Sequence, residues 1–222
     1  MKIDLIASYA QLSGSLIIAL LGLLYFSKRD KPALLLGIYG VNSVVFQIAI
    51  YIFIFLDIKG YNNVSGNLYT LLETIIILFF FNSLFSNKMA KRFTLLLCAL
   101  YVILFFAFIY RHWFDFISSI RTMRDLMIII CTLLYFYYMI TNMPTSQITK
   151  YPMFWIMSAF LVYFAGTFVL SLSLDFLVNV LKDDLAWLWT ARNFFRFFFC
   201  LLVSYGLWMD LRLVKAKTVL NK

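Results

Sequence analysis

The sequence predicts an all-α membrane protein of seven transmembrane helices, with the N-terminus outside and the C-terminus cytoplasmic. Three observations predict it. The 222 residues are 64% hydrophobic and only 13% charged, with a mean hydropathy of +0.92, whereas soluble domains run near half apolar and a quarter charged. The apolar residues gather into seven runs, each within the roughly 17–25 residues that a helix needs to cross hydrocarbon. Basic residues and tryptophans collect where those runs end.

The runs are residues 5–26, 34–56, 65–85, 93–110, 124–141, 153–174 and 185–209. Span one stops at Ser27-Lys28-Arg29-Asp30-Lys31-Pro32, and span two follows that proline. Asp57-Ile58-Lys59-Gly60-Tyr61-Asn62-Asn63 is a turn cluster before span three, and Asn87-Lys88-Met89-Ala90-Lys91-Arg92 is another before span four. Span five begins at Arg124 and ends at a loop of residues 141–152 that holds two prolines. Span six starts after Pro152, and Lys182-Asp183-Asp184 precedes span seven, where either aspartate suits an N-cap. The seven spans form one domain over residues 1–211, with a short basic cytoplasmic tail over 212–222. The runs are continuously apolar and lack the two-residue alternation of a membrane β-barrel.

Orientation follows from the basic residues. Of the 19 Lys and Arg, eleven fall in the loops after spans one, three and five and in the tail. Six lie on the opposite side, counting Arg124 at the mouth of span five, and Arg192 and Arg196 lie inside span seven. The excess marks the cytoplasmic side. Trp113, Trp155, Trp187, Trp189 and Trp208 all fall at span ends or in an adjacent loop, the preferred level of an indole. Loop charge therefore accounts for most of the net +9, and nucleic-acid binding is not expected.

Charges inside the membrane ask for a reason, because an ionised side chain at mid-bilayer costs on the order of 3 kcal/mol. Glu73 in span three lies about 12 Å below the outer surface at 1.5 Å per residue, and Arg192 and Arg196 in span seven lie at about 10 and 16 Å. The two arginines are four apart and share a helical face. Tyr69 stands one turn from Glu73, Gln47 and Tyr51 face outward on span two, Gln11 lies on span one, and Asn193 adjoins Arg192. These eight residues are the candidate ligand-binding set. The opposite halves of spans three, four and five are almost wholly Ile, Leu, Phe and Tyr, which predicts a polar pocket in the outer half above a tightly packed inner half. One carboxylate neutralises one arginine, so the second is available to Asp125 or Asp175, to a lipid phosphate or to an anionic ligand.

Absent residues exclude several classes. His112, the only histidine, falls in an outer loop, so a multi-histidine membrane hydrolase, intramembrane zinc chemistry and a Ser-His-Asp triad are all unavailable. Span seven has no lysine for a retinal Schiff base. Cys98, Cys131 and Cys200 sit in three spans at different depths and predict no disulfide. No enzymatic activity, metal or cofactor is expected.

Tyr69-x-x-x-Glu73, Pro152-x-Phe154-Trp155 and Tyr163-Phe164-x-Gly166-Thr167 resemble a loosely defined group of small bacterial seven-helix integral membrane proteins of unknown function. The resemblance covers the whole chain and implies a multi-pass location in the bacterial inner membrane. Association of some members with sensor kinases implies signalling. The resulting expectation is a receptor-like sensor that binds a small anionic or lipid-derived ligand in the outer half of the bundle and signals through a cytoplasmic protein partner. A transporter subunit using the same cluster, or a structural subunit that the cluster merely ties together, are the alternatives.

Overall fold

The computed structural model describes residues 2–25, 29–56, 61–110, 118–142, 147–176 and 186–220. Among them are seven α-helices: α1 (Lys2–Leu23), α2 (Lys31–Phe55), α3 (Tyr61–Leu84), α4 (Lys88–Ile109), α5 (Ser118–Asn142), α6 (Pro152–Phe176) and α7 (Ala186–Leu220). A single 3-10 turn, Ile148–Lys150, precedes α6. Six of the helices are long and apolar enough to cross a membrane, and α1 supplies a shorter apolar stretch, Ser8–Leu23. The protein is a multi-pass membrane helical bundle.

Local chemistry sets the helix ends. Tyr25 adopts a left-handed backbone, φ 59°, just after α1, the conformation that commonly closes a helix C-terminus. Pro32 stands in the first turn of α2, where its missing N–H costs nothing. Asn87 caps α4 by accepting a hydrogen bond from the Met89 amide at 2.9 Å. The expected cap at Asp183 or Asp184, together with His112 and Trp113, lies outside the described residues.

Consecutive helices pack on one another, α1 closes on α7, and α3 also packs on α5. Close approach of α1 and α2 depends on glycine. A Cβ on Gly22 would lie 2.5 Å from the Gly37 backbone, and one on Gly40 would lie 2.5 Å from the Ala19 amide. Small-residue contacts of this kind bring backbones together where lipid removes the hydrophobic drive for helix association. The outer surface is apolar: Ile103, Ile140, Val169 and Leu172 are all exposed, as expected of a surface that faces acyl chains.

Two helices differ from their expected spans in ways that matter below. Span five was expected from Arg124, but α5 begins at Ser118, six residues earlier. The charges of Arg121, Arg124 and Asp125 mark the sequence as a helix mouth, yet all three side chains are buried. Span seven was expected to end at residue 209, but α7 continues to Leu220 through the basic tail segment. Its Lys and Arg residues favour helix, and the Arg212 guanidinium stacks 3.6 Å from the Trp208 ring centroid.

Candidate functional site

Four charges meet in the core, on three helices. Glu73 (α3), Arg124 and Asp125 (α5) are each 0% exposed, and Arg196 (α7) is 2% exposed. Arg124 Nη1 donates to Glu73 Oε2 at 2.5 Å, and its Nε donates to Asp125 Oδ1 at 2.8 Å. Arg196 Nη1 donates to Glu73 Oε1 at 3.1 Å. Two carboxylates and two guanidiniums therefore balance, the arrangement that burial of charge requires.

Hydroxyl groups complete the coordination. Tyr69 and Tyr39 donate to Glu73 Oε1 at 2.7 and 3.2 Å, so the carboxylate accepts four hydrogen bonds in all. Arg196 Nη2 reaches the Tyr69 hydroxyl at 2.8 Å and Ser43 Oγ at 2.9 Å. Ser43 in turn pairs with Ser15 of α1 at 3.0 Å. The Arg196 guanidinium stands 5.2–5.4 Å from the ring centroids of Tyr39, Tyr163 and Phe199, within cation–π range. The Arg124 guanidinium lies 5.4 Å from the Phe164 centroid. The buried Tyr101 of α4 lies close enough to act electrostatically on Arg124, Glu73 and Asp125, so every helix places a residue in or against the network.

A seal of aromatic residues lies on one side of it. Phe80, Phe81, Phe160, Phe164 and Phe199 are fully buried, with Phe80 stacked on Phe160 at 5.6 Å and Phe160 edge-on to Phe199 at 5.2 Å. On the other side, towards the ends where α3, α5 and α7 begin, lies a cavity of about 320 Å³. Arg121, Arg192 and Arg196 line it, with Tyr69, Tyr163 and Asn193, and no acidic side chain is among the described residues that line it. A second cavity of about 520 Å³ runs between α1 and α2 and is lined by Gln47, Tyr51, Phe46, Ile50 and Ile54 among others. Gln11, Ile50, Tyr69 and Asn193 belong to both walls.

All eight sequence-derived candidates fall in this region, in three different places. Arg196 and Tyr69 join the ionic network and also line the basic cavity. Arg192, Asn193 and Gln11 line the cavity, and Gln47 and Tyr51 line the second one. The Gln47 amide nitrogen donates to the Ser8 carbonyl at 3.1 Å and to the Tyr51 hydroxyl at 3.4 Å. Glu73 lines neither cavity and lies behind them.

Glu73 was expected to pair with Arg192 or Arg196 of span seven; it pairs with Arg196 and also with Arg124 of α5, while Arg192 stands in the cavity wall. Arg124 was counted with the charges of the outer side, at the mouth of span five, because an arginine at the edge of an apolar run reads as a helix-end charge; in the structure it is buried. Its burial follows from the longer α5, which sets it six residues from the helix start, about 9 Å in. The signal available in the sequence was the Arg121-x-x-Arg124-Asp125 spacing, since positions three and four apart share a helical face.

Among the described residues no group of three His, Cys, Asp or Glu side chains could hold a metal ion. No family model, no curated protein and no solved structure matches the chain, so the functional reading rests on the geometry of this site.

Proposed function

We propose that the protein is a receptor-like membrane sensor that binds a small anionic or lipid-derived ligand in the arginine-lined cavity and signals through a cytoplasmic partner. The carrying observation is the charge distribution. Beside the buried network, where Glu73 and Asp125 hold Arg124 and Arg196, three guanidiniums, those of Arg121, Arg192 and Arg196, gather in the wall of one cavity. Guanidinium groups suit carboxylate and phosphate through paired N–H donors. Positive charge in a low-dielectric recess attracts an anion strongly.

The orientation inferred from the loop charges puts the cavity on the extracytoplasmic side. The membrane is read as a bacterial inner membrane. Arg196 is the contact between ligand and network, because it lines the cavity and also holds Glu73. A ligand that draws Arg196 away from Glu73 changes the balance between two helix arrangements only by its differential affinity for them. Helix α7 carries Arg192 and Arg196 near one end and runs unbroken to Leu220. That is 24 residues beyond Arg196, about 36 Å at 1.5 Å per residue, enough to carry a displacement past the hydrocarbon core to a partner. The layer of buried aromatic rings behind the network, Phe80, Phe81, Phe160, Phe164 and Phe199, favours sensing over transport.

The test combines binding with coupling. Purified protein in phosphatidylcholine nanodiscs is titrated with inorganic phosphate, citrate and anionic amphiphiles, and the melting temperature and the labelling rate of a Leu213→Cys reporter on α7 are followed. An anion that raises the melting temperature and changes labelling, with both effects reduced at least tenfold in apparent affinity by Arg192→Gln, supports the reading. Anion flux through proteoliposomes that Glu73→Gln abolishes would replace it with a transporter.

A further inference from the structure

We infer that the ligand is a single-tailed anionic amphiphile, its head in the arginine-lined cavity and its alkyl chain in the cleft between α1 and α2; this rests on the reading of the arginine cavity as an anion site. The argument is the pairing of two unlike cavities. One, of about 320 Å³, has three arginines in its wall, and the other, of about 520 Å³, has Phe46, Ile50, Ile54 and the Tyr51 ring along one flank. Tyr69, Asn193, Gln11 and Ile50 stand in both walls, so the chambers adjoin. Together they fall in the range of sites for drug-sized ligands.

The second cavity also opens in the right direction. Ile54 lines it and is 60% exposed, and Ile48 and Ile52 on the same helix are exposed too. In a bilayer those residues face acyl chains, so a ligand already dissolved in the membrane can enter from the side. A hydrophilic anion would fill the basic chamber alone. An acyl chain gains little on passing from lipid to an apolar cleft, so the head supplies the selectivity and the membrane supplies the concentration. The polar residues Ser8, Gln11 and Gln47 stand in the second wall as well, with Gln47 donating to the Ser8 carbonyl and the Tyr51 hydroxyl.

Decyl phosphate, inorganic phosphate and decyltrimethylammonium are the probes, each added to protein in phosphatidylcholine nanodiscs and read as a 1:1 adduct by native mass spectrometry. Decyl phosphate is expected to bind at least tenfold more tightly than inorganic phosphate, and decyltrimethylammonium not to bind. Filling the tail cleft with Ile54→Trp, or with Phe46→Trp should the first variant not fold, both in the second wall alone, should reduce decyl phosphate binding at least tenfold and leave inorganic phosphate unchanged. Equal affinity for the two phosphates, insensitive to both substitutions, overturns the amphiphile while leaving the anion sensor intact. Failure of every anion to bind overturns both. Retention of decyltrimethylammonium as strongly as decyl phosphate also overturns the inference, because the head would then not be read by arginine.

Discussion

Arg124 of α5 and Glu73 of α3, 51 residues apart in sequence, form a 2.5 Å ion pair in surroundings that leave Glu73 with no exposed surface and Arg124 almost none. The same guanidinium holds Asp125, so one side chain links both buried carboxylates. Removing one member of a buried pair strands its partner's charge, at a cost of about 3–5 kcal/mol. Glu73→Gln and Arg124→Gln should each destabilise the detergent-solubilised protein by that order. The double variant should be more stable than the sum of the two losses by about 0.5–3 kcal/mol. Strict additivity in a double-mutant cycle from denaturant unfolding would sink the coupling.

Arg196 tests geometry rather than charge. Its two terminal nitrogens reach Glu73, Tyr69 and Ser43 together, and its flat face lies among three aromatic rings. A lysine keeps the charge but cannot span those acceptors from one plane. Arg196→Lys should therefore cost about 1.5–3 kcal/mol, the usual worth of hydrogen bonds to a charged group. A melting temperature equal to that of the parent protein would mean that charge alone is needed.

The α1–α2 crossing sets a second expectation. A methyl group at Gly22 or Gly40 collides with the opposite helix backbone rather than with a flexible side chain, so relief requires the helices to separate. Gly22→Ala and Gly40→Ala should each destabilise by about 1–3 kcal/mol, as overpacking commonly does. Ser13→Ala, at an exposed site on α1, serves as the neutral control. Unchanged unfolding midpoints for both glycine variants would contradict the packing.

At the far end of the bundle, Arg29 pairs with Asp210 and donates to the Leu21 carbonyl at 2.7 Å and the Leu207 carbonyl at 3.3 Å. It ties the segment after α1 to α7. The Arg29 side chain is fully buried and that of Asp210 is 18% exposed, so Asp210→Asn leaves a cation without its counter-charge. The loss should be about 1–3 kcal/mol, with faster trypsin cleavage after Arg29. Cleavage at the parent rate would show that the bond does not restrain the segment.

Orientation has its own measurement. Tyr61 begins α3 and Met89 lies in the first turn of α4, both exposed and at opposite ends of the bundle. With the N-terminus outside, an impermeant maleimide applied to intact cells lacking an outer barrier should label Tyr61→Cys and spare Met89→Cys. The reverse pattern would invert the assignment and turn the cavity towards the cytoplasm.

Glu73, Arg196 and Tyr69 were legible as a site because charge and polarity are conspicuous in an apolar run, and because helical rise converts residue number into depth. Arg124 was not legible, because a charge near a loop looks the same whether it faces headgroups or folds inward. Tyr39 was equally hidden: a tyrosine in a membrane span is unremarkable until its hydroxyl is seen to reach Glu73 at 3.2 Å. The end of α7 was misjudged for the opposite reason, since basic residues that close a span do not thereby end a helix.

The sequence by itself determined a helical membrane bundle, because each apolar run must satisfy its own backbone hydrogen bonds in lipid, and that constraint is local. Which arginine meets which carboxylate, and which arginines are left facing a cavity, depends on the rotation and lean of seven helices against one another. Those are set by contacts such as Gly22 on Gly37 and Phe80 on Phe160, between residues far apart in the chain, so only the tertiary structure decided them.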